Sequence, residues 1–118
     1  IKAVSFLDRF LEQIMRVVLS VDGLLIITAD HGNVEEMIDR KSGGINKEHT
    51  TSPVPMVIIA NDLAFSTQKS RNYTSLSSMV PAGVISDIAP TVLEFLGLEK
   101  PKDMTSVSLV EQILNQLE

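Results

Sequence analysis

The sequence predicts an α/β fold, and three observations carry that prediction. A helical apolar repeat occupies residues 2–19. Two aliphatic runs, Leu24-Leu25-Ile26-Ile27 and Met56-Val57-Ile58-Ile59-Ala60, have the length and β-branched content of buried strands. Two more helical patterns follow, so helices and strands interleave along the chain as layered α/β architectures require.

The first element is justified by Val4, Leu7, Leu11, Ile14 and Val18, whose 3-4-3-4 spacing places them on one helix face. Lys2, Asp8, Arg9, Glu12 and Arg16 are left for solvent. Asp22-Gly23 closes the connection to the first strand. Asn33–Ile38 is expected to form a short helix, with Asn33 as N-cap and Glu35 and Glu36 in the first turn. Arg40-Lys41-Ser42-Gly43-Gly44 has loop composition.

The approach to the second strand, Ser52-Pro53-Val54-Pro55, is stiffened because each proline biases the residue before it toward extended backbone. Residues 61–82 are polar and show no period, which predicts an irregular segment. A helix then follows Ser86 or Asp87 as cap, tolerates Pro90 in its first turn, turns Ile88, Val92, Phe95 and Leu96 inward, and stops at Gly97. A last helix is expected from about Ser106, with Val110, Ile113, Leu114 and Leu117 inward.

The bulk numbers narrow the functional classes. A chain of 118 residues with 44% hydrophobic and 21% charged residues is ordinary for one globular domain or part of one. A net charge of −5 with no basic stripe argues against a nucleic-acid surface. No cysteine is present, which excludes disulfides and thiolate metal sites and suits a cytoplasmic protein. No apolar run approaches the ~20 residues that span a bilayer, and no signal-peptide pattern is visible, so no membrane partner is expected. Ile1 opens the chain inside a helical run without a methionine, which predicts a fragment.

Candidate chemistry gathers at the strand ends, where open α/β sheets bind their ligands. Asp30-His31-Gly32 follows the first strand, and Gly32 can supply the turn that lets both side chains serve one ion. His49, the only other histidine, precedes the second strand. Taken singly, each histidine also reads as a solvated turn residue. Together, Asp30, His31 and His49 form an oxygen-and-nitrogen ligand set suited to Mn²⁺, Zn²⁺ or a related divalent ion. Three ligands are too few for a two-metal phosphoryl-transfer site, and none of Thr28, Thr50, Thr51 or Ser52 is marked as an activated nucleophile.

Thr28-Ala29-Asp30-His31-Gly32-Asn33, followed by Glu35, Met37 and Asp39, resembles the metal-binding strand end of cofactor-independent phosphoglycerate mutases, members of the alkaline phosphatase superfamily. His49-Thr50-Thr51-Ser52-Pro53-Val54-Pro55 resembles that family's second metal motif, usually His-Thr-Thr-Asn-Pro-Val-Pro. Gly83 through Glu94, Pro101 through Thr105, and Ser108-Leu109 resemble its C-terminal helix and closing segment. The motifs fall in the family's order and span nearly the whole chain, most weakly over 61–82.

The resemblance implies that residues 1–118 are the C-terminal, incomplete segment of a three-layer α/β/α, alkaline-phosphatase-like catalytic domain. It implies two Mn²⁺ ions in the complete enzyme, with Asp30 and His31 on one and His49 on the other. The nucleophilic serine that carries the phosphoryl group between 3- and 2-phosphoglycerate, the remaining ligands and the substrate domain would belong to the missing N-terminal part. No catalytic residue is expected within this chain, and the 118 residues alone are expected to be inactive. Two departures stand out: Ser52 occupies the usual asparagine position, and Ser106-Val107 stands where a glycine is common. The competing expectations are another superfamily enzyme, such as a phosphopentomutase or metal-dependent phosphatase, and a truncated module without catalysis.

Overall fold

Helix α1 runs Lys2–Ser20, as its repeat predicts. Its end is built by the Val18 and Leu19 carbonyls, which accept the Gly23 and Asp22 amides at 2.9 and 3.1 Å. This is a Schellman closure with Asp22, at φ 56°, in the left-handed position. That conformation costs a non-glycine residue about 1 kcal/mol. Asn61 offsets part of it by donating from Nδ2 to Leu19 O at 3.0 Å and Asp22 Oδ1 at 2.9 Å. The neighbouring glycine serves space instead, since a Cβ on Gly23 would come within 2.9 Å of Val18 Cγ1.

The computed structural model describes residues 2–62 and 80–115. It divides into two units, Ile1–Thr67 and Gln68–Glu118. Within the first, β1 (Leu25–Ile27) and β2 (Val57–Ile59) pair antiparallel, with Leu25 opposite Ile59 and Ile27 opposite Val57. Helix α1 packs on β1. Both strands are shorter than their aliphatic runs and half-buried rather than fully buried; Val57 is exposed. A two-stranded ribbon covered by one helix leaves surface open. Likewise, of the predicted α1 stripe only Leu11 and Val18 are half-buried, while Val4, Leu7 and Ile14 are exposed. These elements make an α/β unit; they do not by themselves form layers on both sides of a sheet.

The short helix expected over Asn33–Ile38 does not form. Asn33 does not cap; its side chain reaches across to Glu48, Nδ2 donating to Glu48 O at 3.2 Å. The chain instead turns at 34–35, with Glu36 N–H donating to Asn33 O at 3.3 Å, and opens a hairpin, with an antiparallel bridge between Ile38 and Ile45 and Asn46 N–H donating to Met37 O at 3.0 Å. Its tip is the predicted loop: Asp39 Oδ1 accepts the Lys41 and Ser42 amides at 2.7 and 3.3 Å, and Gly43 takes φ 70°. Those two amides hold the Asp39 carboxyl below its ordinary value, Lys41 contributing most.

In the second unit a 3₁₀ turn, Ile85–Asp87, leads into α2, Ile88–Phe95. Pro90 is third in the helix, where no intrahelical amide bond is due. Gly97, at φ 67°, ends it through a second Schellman closure, with Gly97 N–H on Glu94 O and Leu98 N–H on Leu93 O, both 2.9 Å. Asp87 caps backward rather than forward: Oδ2 accepts Val84 N–H at 3.0 Å and Oδ1 accepts Val107 N–H at 3.2 Å. Thr91, fully buried, donates to Asp87 O at 2.6 Å and accepts Leu109 N–H at 2.9 Å.

This clasp decides two differences from the sequence reading. Behind buried Asp87, the inward face of α2 is Pro90 and Thr91 with half-buried Ile88, Leu93 and Phe95, whereas Val92 and Leu96 are exposed. The last helix, α3, starts at Val110 and runs to Leu114; ahead of it the Val107 and Leu109 amides donate to Asp87 and Thr91. Val110 and Ile113 are half-buried but Leu114 is exposed, and Leu117 lies outside the described residues. At the Ser106-Val107 departure both residues make their hydrogen bonds through backbone groups, Ser106 O accepting from Lys100 Nζ and Val107 N–H donating to Asp87. The irregular segment expected over 61–82 lies mostly outside the described residues.

Candidate metal centre

The antiparallel ladder brings the two histidine motifs to one end of the ribbon. Residues leaving β1 after Ile27 and residues entering β2 at Val57 belong to paired positions. Beyond the ladder, Gly32 and Thr50 form a further antiparallel bridge, with N–H···O distances of 3.2 and 2.9 Å. His31 and His49 each adjoin that bridge. Their rings stack at a centroid distance of 3.7 Å and an interplanar angle of 19°.

His31 Nδ1 donates to Gly32 O at 3.0 Å. That bond selects the tautomer whose Nε2 carries a lone pair, the form that ligates metals. Asp30 Oδ1 lies 3.6 Å from this Nε2. Two ligands held ~2.1 Å from one ion are separated by about this much. In the neutral tautomer, an anionic oxygen and a nitrogen lone pair face one another, an arrangement that a shared cation relieves. The side chains of His31 and Asp30 are 38% and 87% exposed, so both valences open outward. The oxygen-and-nitrogen donor set therefore suits a divalent ion.

His49 does not join Asp30 and His31 around one point. Among the described residues no group of three or more His, Asp or Glu could enclose an ion. The stacked rings instead place the second histidine beside the Asp30–His31 pair.

Gly32 departs from its expected role, since it does not take positive φ. It is needed for clearance: a Cβ would collide with Glu35 Oε1 and Thr50 Oγ1. Both residues stand in the motifs that carry the resemblance, but sequence reasoning missed that they meet and support the site. Glu35 reads in the sequence as a first-turn helix acid, yet its Oε2 accepts Asn33 N–H at 2.7 Å and its Oε1 accepts the Thr50 hydroxyl. The Thr50 hydrogen bond is the main cause that holds the Glu35 carboxyl below its ordinary 4.5. Ser52 supports the same corner, with its N–H 3.4 Å from Thr50 Oγ1. The available signal was the glycine itself, three residues before Glu35 and across the bridge from Thr50.

Comparison with known proteins agrees with this chemistry. The chain is similar to 2,3-bisphosphoglycerate-independent phosphoglycerate mutases, including that of Clostridium acetobutylicum, with 44% identity over 93% of this chain and 19% of the relative. The proteins of the same name from Clostridium novyi and Herpetosiphon aurantiacus are 42% and 40% identical, over 92% and 94% of this chain and 19% of each relative. The chain thus spans about a fifth of the length of the curated relatives it matches. A family model described as the metalloenzyme superfamily matches residues 1–100, and the chain belongs to that superfamily.

Proposed function

We propose that this chain is the C-terminal portion of a Mn²⁺-dependent phosphoglycerate mutase that interconverts 3- and 2-phosphoglycerate through a phosphoserine. The observation that carries the proposal is the paired presentation of Asp30 with His31 and of His49 beside them, in a chain about 40% identical to named mutases. Asp30 and His31 would hold one ion and His49 the other. The ions, when bound, supply charge neutralisation for the transferring phosphoryl and acidify the attacking hydroxyl. The residues of this chain hold the ligand groups in register: His31 through its Nδ1 bond to Gly32 O, His49 through the Gly32–Thr50 bridge.

The nucleophilic serine, the remaining ligands and the phosphoglycerate pocket belong, in this reading, to the preceding four-fifths of the enzyme. That part would also complete a three-layer α/β/α domain by covering the exposed apolar face of α1 and extending the β1–β2 ribbon. The same reading assigns a glycolytic role in the cytoplasm; no described helix is long and apolar enough to cross a membrane.

The test uses the full natural polypeptide that carries these residues. His31→Ala and His49→Ala should each lower mutase activity at least ~100-fold, beyond what loss of an outer-shell partner costs a metal enzyme. Each should also lose one of two bound Mn²⁺ by elemental analysis, with unchanged circular dichroism. Full activity in both variants overturns the assignment.

A further inference from the structure

We propose that Glu35 is a positioning residue of this centre, its carboxylate tying the loop that carries Asp30 and His31 to the strand end that carries His49. The proposal rests on the metal reading above and extends it to a residue that touches neither ion.

Both carboxylate oxygens are engaged, and they are engaged on opposite sides. Oε2 accepts the amide of Asn33, two residues past His31, and Oε1 accepts the hydroxyl of Thr50, the residue after His49. The tie lies flat over Gly32, where any Cβ would collide with both partners. Beneath it the backbone offers one bridge, Gly32 to Thr50, before the chains diverge, and a single bridge is a weak constraint on rotation. Asn33 Nδ2 on Glu48 O straps the other side of His49. Glu35 itself is exposed. What it fixes is the relative setting of two imidazoles stacked at 3.7 Å, on which the spacing of two ligand groups depends.

A carboxylate near cations could also act by charge alone, and a neutral isostere separates the two roles. In Glu35→Gln the amide oxygen can still accept from Asn33 N–H, while its NH₂ donates to a Thr50 hydroxyl rotated to accept. The tie survives and the charge is gone. In Glu35→Ala both are lost. Thr50→Val removes the tie from the other side and leaves the carboxylate in place.

The experiment titrates Mn²⁺ into the full natural polypeptide, following free Mn²⁺ by electron paramagnetic resonance, and melts each metal-free protein. Glu35→Ala and Thr50→Val should each weaken at least one Mn²⁺ by roughly tenfold or more, the usual range for outer-shell partners. Glu35→Gln and Thr50→Ser should bind nearly as the unmodified protein does, and all metal-free melting curves should superimpose. Equal affinity in Glu35→Ala and the unmodified protein overturns the positioning role. So does a Glu35→Gln as weak as Glu35→Ala, which assigns the effect to charge. An unmodified protein that binds no divalent ion overturns the metal reading itself, and this inference with it.

Discussion

Each unit of the chain ties distant segments with one carboxylate and one threonine, and the two ties differ in burial more than in parts. In the first, Glu35 accepts a nearby amide, that of Asn33, and the hydroxyl of Thr50, which lies 15 residues away. In the second, Asp87 accepts a nearby amide, that of Val84, and the amide of Val107, which lies 20 residues away, while Thr91 bridges to Leu109. Glu35 is exposed; Asp87 and Thr91 are 6% and 0% exposed. A solvated hydrogen bond exchanges with water at little net cost, whereas a buried amide stripped of its acceptor bears the whole desolvation penalty. One kit therefore holds the fold where it is buried and sets geometry where it is wet.

The sharpest way to break that contrast is to delete both hydroxyls. Thr91→Val strands the buried Leu109 amide and should destabilise its unit by about 1–3 kcal/mol. Hydrogen exchange at Leu109 should then run about 5- to 150-fold faster in the full natural polypeptide. Thr50→Val should leave exchange in its own unit nearly unchanged, as its superimposable melting curve requires, even as it weakens Mn²⁺ binding in the proposed site. Comparable losses at the two positions would show that burial does not divide the roles.

The helix ends carry a smaller contrast that bears on what sequence can reveal. Gly97 is readable as a stop, and it sits at φ 67° with nothing within 4 Å of the place a Cβ would take. Gly97→Ala should thus cost only its backbone conformation, about 1 kcal/mol, seen as faster exchange at Leu98. A neutral substitution would mean that this closure does not hold α2. At the end of α1 the pair Asp22-Gly23 is equally readable as a terminator, but the roles within it are not. Asp22 takes the left-handed position because Asn61, remote in sequence, holds its carboxylate, and Gly23 is reserved for contact with Val18.

The same division runs through the rest of the molecule. Local signals, the apolar period of α1, the β-branched runs and the loop glycines, predict elements that the structure contains. Asp30, His31 and His49 stand out because two histidines beside strand ends are unusual chemistry in a short sequence. What escapes is set by partners far along the chain. Asn33 has every mark of an N-cap, yet Glu48 claims its side chain and no helix forms. The segment after Ser106 has a helical period, yet its backbone is tied to Asp87 and Thr91, remote in sequence, and the helix starts four residues later. Glu35 reads as a first-turn acid until Thr50 is placed beside it.

The gentlest probe of the comparison is acid. Glu35 is held below its ordinary 4.5 by the Thr50 hydroxyl first and backbone amides after it, because these donors favour the ionised form. A depressed folded-state value contributes stability that is complete above 4.5 and fades as pH falls through the lower, folded-state value. Between neutrality and 4.5 the exposed tie should therefore be insensitive to pH. Carboxyl carbon NMR of the full natural polypeptide should show Glu35 titrating below 4.5, and Thr50→Val should move its midpoint back toward that value. A midpoint at or above 4.5 would mean that the Thr50 hydroxyl does not donate to Glu35 in solution, and the first unit would lose its counterpart to the buried clasp of the second.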